Sequence, residues 1–112
     1  MKRIALLLFL VSPLLSFSQE KYTIKTDIYY YETKSKDAYQ NERCVLDIYY
    51  PENKKDFATI IWFHGGGITG GNKELPEALK NKGYCIIGVN YRLIPKVKAP
   101  KFIEDSAAAV AW

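Results

Sequence analysis

The chain has 112 residues, 48% of them hydrophobic and 25% charged, with 16 Lys and Arg against 12 Asp and Glu. That size and balance suit one modest core and exclude a disordered or repeat chain. The net charge of +4 falls to +2 once Lys2 and Arg3 are set aside with the leader described next, and no Lys/Arg stripe runs through the rest, so a nucleic-acid partner is not expected.

Residues 1–18, MKRIALLLFLVSPLLSFS, begin with basic residues, continue through an apolar stretch from Ile4 to Leu15 and end on the small residues Ser16 and Ser18. This is the layout of a secretory signal peptide. A bilayer-spanning helix needs roughly 20 apolar residues, more than this stretch offers. The expectation is an exported protein, periplasmic or extracellular, with no membrane anchor after leader removal and a mature domain over 19–112.

YTIKTDIYYY (22–31) places Tyr22, Ile24, Ile28 and Tyr30 on one face, and RCVLDIYY (43–50) does the same with Cys44, Leu46, Ile48 and Tyr50. Both alternate as half-buried strands do. ETKSKDAYQNE between them reads as a charged loop that joins them into an antiparallel ribbon. ATIIWF (58–63) and YCIIGVNY (84–91) are almost continuously apolar, the pattern of parallel strands covered on both faces. Between these two, LPEALKNKG (75–83) predicts a crossover helix, with Pro76 near its start, Leu75, Ala78 and Leu79 at helical spacing and Gly83 as its stop. In APKFIEDSAAAVAW, Pro100 opens a helix whose Ile103, Ala107, Val110 and Ala111 define the face that packs on the sheet. It reaches Trp112 without a glycine, a basic last turn or a polar tail, so the chain reads as interrupted. The fold class expected is α/β, an antiparallel ribbon followed by parallel strands with crossover helices, and incomplete.

The segment IIWFHGGGITGGNKE (60–74) runs a strand into one histidine and a cluster of glycines. A turn at the carboxyl end of a buried parallel strand lies where open α/β sheets place ligands, and bare backbone there brings N–H groups close to a substrate atom. Two chemistries use that, phosphate binding and stabilisation of a tetrahedral oxyanion. GGGITG formally satisfies G-x-G-x-x-G, but the dinucleotide fold also needs an acid at the end of the next strand, where Asn90 and Tyr91 stand, and a helix beginning at the glycines, whereas here it begins near Pro76. A P-loop fails because Lys73 comes one place late and Glu74 replaces the Ser/Thr.

The acyl reading needs a strand followed by an HGGG turn, and WFHGGG supplies it. With LDIYYP before it, VNYRLIP after it, and Asp105, Ala109 and Trp112 spaced as D-x-x-x-A-x-x-W, residues 43–112 resemble the α/β-hydrolase superfamily. The likeness is to the HGGG-type esterases and lipases, which include hormone-sensitive-lipase-like enzymes and secreted bacterial carbohydrate esterases. The resemblance implies the N-terminal portion of a hydrolase sheet. It assigns the oxyanion donors to the backbone N–H groups of Gly66 and Gly67, with His64 and Gly65 supporting the loop and His64 not acting as the base. The implied substrate is an ester, either an acetyl or feruloyl group on a polysaccharide or a small lipid or aryl ester.

Arg92 follows a buried strand and needs a partner if covered. Asp105 on the next helix is one candidate, and two separately solvated charges is the other reading. The nucleophile, acid and base are missing: Ser35 sits in a charged loop, Ser106 in a helix, and neither lies in G-x-S-x-G. In such hydrolases the triad follows the HGGG loop in the order Ser, Asp/Glu, His, so all three are expected beyond Trp112 and the 112-residue chain alone is expected to be inactive. The rival reading is a non-catalytic hydrolase-like binding protein. No cofactor is expected, and one histidine with two distant cysteines offers no zinc site. In the family's strand order Cys44 and Cys85 begin antiparallel neighbours, which puts them roughly 20 Å apart at about 3.3 Å per residue. That is beyond disulfide reach, so two free thiols are expected.

Overall fold

The computed structural model of the chain describes residues 18–112; apart from Ser18, the expected leader lies outside the described residues. The elements in order are β1 (Tyr22–Tyr29), α1 (Ala38–Arg43), β2 (Val45–Pro51), β3 (Thr59–Phe63), a single 3-10 turn (Glu77–Leu79), β4 (Cys85–Val89) and α2 (Lys101–Ala111). The strands form one mixed sheet in the order β1-β2-β4-β3. β1 and β2 are antiparallel, β2 and β4 are antiparallel, and β3 and β4 are parallel. Among the described residues no helix is long and apolar enough to cross a membrane.

β4 is the buried centre, because CIIGV offers both faces an apolar surface. Leu46, Ile86 and Val89 are fully buried, each contributing about 1.5–3 kcal/mol by leaving water. On one face Cys44, Leu46, Cys85, Ile87 and Val89 meet Tyr30 and Ala109 of α2. On the other, Tyr49 lies beside Ile86 in register and stacks on Tyr22 with ring centroids 4.5 Å apart. The segment returning from β3 crosses that second face at Gly88, where any Cβ would lie 2.2 Å from the Glu74 carbonyl oxygen.

Four expectations are corrected. The segment read as a charged loop contains α1, whose N-cap Asp37 accepts from the Tyr39 N–H at 2.9 Å. The crossover helix over 75–83 is only a 3-10 turn: the Tyr49 hydroxyl takes the Asn81 N–H and donates to the Asn81 side chain, and Asn81 adopts φ 57°, outside the helical region. β1 ends at Tyr29 and carries an irregularity between Lys25 and Ile28, with Asp27 at φ 56°, so its alternation breaks and Ile24 is exposed. β3 is a sheet edge among the described strands, and its Trp62 and Phe63 stand 38% and 37% exposed. In α2 the buried residues are Asp105 and Ala109, while Ile103 and Val110 stand 61% and 60% exposed. The roll of α2 is fixed by an ion pair, described next, and not by its apolar stripe.

Both cysteines are free and buried. The register Leu46↔Val89 to Tyr49↔Ile86 places Cys44 beyond one end of the β2–β4 ladder and Cys85 beyond the other, as the strand-order argument requires. Burial pushes the Cys44 thiol up to about 12 and raises Cys85 as well, so neither is a reactive thiolate.

Candidate active site

The polypeptide leaves β3 at Phe63 and enters the glycine turn through a buried His64. The imidazole stacks on Tyr91, centroids 4.6 Å apart and planes 8° from parallel, and the Tyr91 hydroxyl donates to the His64 carbonyl at 2.9 Å. Its Nδ1 lies 2.8 Å from the Gly65 carbonyl oxygen. The histidine is thus built into the turn by its ring stacking and by hydrogen bonds at its ring and its carbonyl.

Gly65, Gly66 and Gly67 are all exposed. Gly66 has φ +121°, and a Cβ there would stand 2.3 Å from the Gly70 carbonyl oxygen, so only glycine fits. The Gly66 carbonyl accepts from the N–H groups of Thr69 and Gly70, each at 3.2 Å, and from the Thr69 hydroxyl. Ile94 ties the far side of the turn by donating its N–H to the Ile68 carbonyl at 3.0 Å. Among the described residues the N–H groups of Gly66 and Gly67 donate to nothing. Two exposed, unpartnered donors on a braced turn after a parallel strand can receive an anionic oxygen. A pyrophosphate would need a helix N-terminus at the glycines, and none begins there. The Asn90 side chain, at the position where a dinucleotide site wants its acid, accepts from the Lys73 N–H at 2.6 Å.

The rest of the loop is fastened by charges. Lys73 Nζ lies 2.7 Å from Asp47 and 2.9 Å from Asp27. Burial opposes its ammonium, yet the hydrogen bonds and charges of the two carboxylates outweigh that and raise the Lys73 pKa. Arg43, at the end of α1, was not singled out by the sequence. Its buried guanidinium donates from Nε to the Tyr91 carbonyl at 3.1 Å, from Nη1 to the Asn72 side chain at 2.8 Å and from Nη2 to the Gly71 carbonyl at 3.1 Å, with His64 Nε2 3.4 Å from Nη2. No periodic pattern marks such a residue; the cap Asp37 six residues earlier was the available signal that this stretch carries structure.

Arg92 and Asp105 pair, which decides between the two readings of those charges. Arg92 Nε and Nη2 reach the two carboxylate oxygens at 2.9 and 2.8 Å, and the Arg92 N–H and the Tyr31 hydroxyl add 3.1 and 2.6 Å bonds. Asp105 is fully buried. Burial would raise its pKa, but the hydrogen bonds from Arg92 and Tyr31 win and hold the carboxyl below its usual value.

Neither serine is placed as a nucleophile. The Ser106 hydroxyl donates to the Phe102 carbonyl within α2, and Ser35 accepts from the Asp37 N–H. Among the described residues no serine or cysteine hydrogen-bonds the single histidine.

A mixed sheet whose parallel strand ends in a braced HGGG turn defines an α/β-hydrolase of the esterase and lipase type. More narrowly, the BD-FAE family model matches residues 46–112, and the chain belongs to the BD-FAE family. It is similar to Lipase 2 of Moraxella sp. (strain TA144), 32% identical over 62 residues, which is 51% of this chain and 14% of that protein. It is also similar to an arylesterase of Saccharolobus solfataricus, 33% identical over 72 residues, 60% of this chain and 24% of that one. Among solved structures, esterase B from Lactobacillus rhamnosis, in an inhibited form, superposes with a TM-score of 0.65 at 31% identity, covering 81% of this chain and 29% of that chain. The Fusobacterium nucleatum tannase, at 21% identity and a TM-score of 0.59 over 81% of this chain and 24% of its own, shares the fold. The chain therefore spans about a quarter or less of the length of these two curated relatives.

Proposed function

We propose that this chain is the oxyanion-loop portion of an exported serine-type carboxylic-ester hydrolase, with the nucleophile, acid and base encoded after Trp112. The observation that carries the reading is the pair of unpartnered, exposed N–H groups of Gly66 and Gly67 on a turn braced from beneath by His64. In the reaction the serine attacks the ester carbonyl, and the oxygen that becomes negative is received by these two donors. They are already oriented, so little reorganisation is needed at the moment of reaction. The leader layout supports export, and an ester is the substrate class the family implies. Acetyl or feruloyl esters of polysaccharides are the proposed substrates.

The test is to read the frame past the Trp112 codon, express it whole and measure hydrolysis of p-nitrophenyl acetate and of acetylated and feruloylated polysaccharide. Turnover that follows a serine in G-x-S-x-G supports the reading, and the 112-residue chain alone should give none. A full frame lacking that serine, or a full-length product without turnover on any of these esters, would move the protein to the non-catalytic binding reading. The intact mass of the exported product should start near residue 19.

A further inference from the structure

Arg43 is a buried charge that meets no counter-charge among the described residues. Among the described residues its donors end on two backbone carbonyls, one amide oxygen and an imidazole nitrogen, and on no carboxylate. Burying a guanidinium against neutral groups is costly compared with an apolar side chain of similar volume. What it supplies is direction, since the planar fork fixes where its N–H groups point. Here they reach three separate stretches of chain, at residues 64, 71–72 and 91.

We infer that Arg43 is a positioning residue for the HGGG turn, aiming the Gly66 N–H outward through the imidazole of His64. The inference deepens the ester-hydrolase reading and rests on it for the role of the glycines. A guanidinium only donates, so His64 Nε2 facing Arg43 must accept. The ring hydrogen then sits on Nδ1, which donates to the Gly65 carbonyl at 2.8 Å. In a planar trans peptide the C=O and the following N–H point in opposite directions. A Gly65 carbonyl drawn toward the buried ring therefore turns the Gly66 N–H away from it, to the exposed side where the oxyanion is received. With the hydrogen on Nε2 instead, the Nδ1 lone pair would face the Gly65 oxygen and drive that peptide to rotate. Asn72 and Gly71, held by the same guanidinium, keep the return of the loop from following such a rotation.

The experiment uses the protein expressed from its full reading frame and labelled with 15N-histidine, with the His64 signals assigned by their loss in H64N. In the wild type, long-range 1H–15N spectra should show a pyrrole-type Nδ1 and a pyridine-type Nε2 for His64. In R43M that pattern should be lost, with kcat for p-nitrophenyl acetate about 100-fold lower and KM within about threefold. R43K, which can still donate to one acceptor, should fall between. Combining R43M with H64N should cost no more than the worse single change, because both act along one path. A wild-type His64 bearing its hydrogen on Nε2 overturns the inference whether or not any variant folds. So does an unchanged tautomer in folded R43M. A protein with the expected tautomer but no ester turnover would sink the hydrolase reading and leave the action of Arg43 on His64 standing.

Discussion

Arg92 and Arg43 are both buried and both brace the segment that leaves β4, but Arg92 ends on the Asp105 carboxylate, whereas Arg43 ends on neutral oxygens and an imidazole. The first arrangement cancels a charge, so it holds α2 against the sheet and fails badly if one member is lost. The second meets no carboxylate among the described residues. Removing it takes away a burial cost together with the hydrogen bonds, so its loss should disturb geometry more than stability. Two residues of one type, at one depth, thus separate into a fastening and an alignment role according to what faces them.

The largest expected effect breaks the fastening. D105N keeps the shape and removes the charge, leaving the Arg92 guanidinium buried without its counter-ion, and should cost roughly 3–5 kcal/mol in urea unfolding. If R43M cost as much, the contrast between the two arginines would fail. Exchanging the pair, R92D with D105R, should not restore stability. Position 105 is fully buried and its carboxylate also takes the Tyr31 hydroxyl and the backbone N–H of residue 92, so an arginine there lacks room and leaves that N–H without its acceptor. Acid should expose the same group. The Asp105 pKa is lowered from 3.8 in the folded state, so its contribution is fully present above that value and is lost as pH falls from there through the lowered pKa. D105N should flatten this part of the acid-unfolding curve, and an unchanged curve would show that other carboxylates govern it.

The alignment side is sharpened by G71A. Gly71 has φ +100°, and its Cβ would stand 2.3 Å from both the Gly65 carbonyl oxygen and His64 Nδ1, wedging apart the contact through which the turn is aimed. The left-handed backbone alone costs a non-glycine residue about 1–3 kcal/mol, and relieving the clash adds to that. On ester turnover by the full reading frame, however, the effect should be about 100-fold. Equal turnover in G71A and wild type would mean that the contact between His64 and Gly65 does not set the donor geometry.

The residues that aim the turn were the less legible half of this pair. The HGGG run, the apolar β4 and the candidate partnership of Arg92 with Asp105 could be read because periodicity, glycine spacing and the position of a charge next to a buried strand each carry a physical signal. Arg43 carries none, since its burial depends on α1, and a six-residue helix is too short to be stable by propensity. It exists because tertiary contacts hold it: the Tyr39 hydroxyl accepts from the Leu93 N–H at 3.1 Å and Gln40 accepts from Arg92 at 3.2 Å. The face of α2 was misread for the converse reason. Ile103 and Val110 are the apolar choice by spacing, but the residues the sheet buries are Asp105 and Ala109, and a polar residue held by an ion pair carries no mark in an apolar pattern.

Asp37 tests whether α1 is held by its cap or by charge, and here the effects are smallest. Its carboxylate accepts from the Tyr39 N–H at 2.9 Å and lies 3.4 Å from an Arg92 nitrogen. The side chain is about half exposed, so solvent screening should leave the charge contact little weight. D37A should therefore cost about 1 kcal/mol, the usual loss of an N-cap. D37N, which caps equally well without the charge, should stay within about 0.5 kcal/mol of wild type. Equal losses in the two variants would assign the effect to the ion contact with Arg92. A loss in D37A alone, accompanied by a partial shift of the His64 tautomer, would link the cap to the guanidinium at the other end of the same six-residue helix.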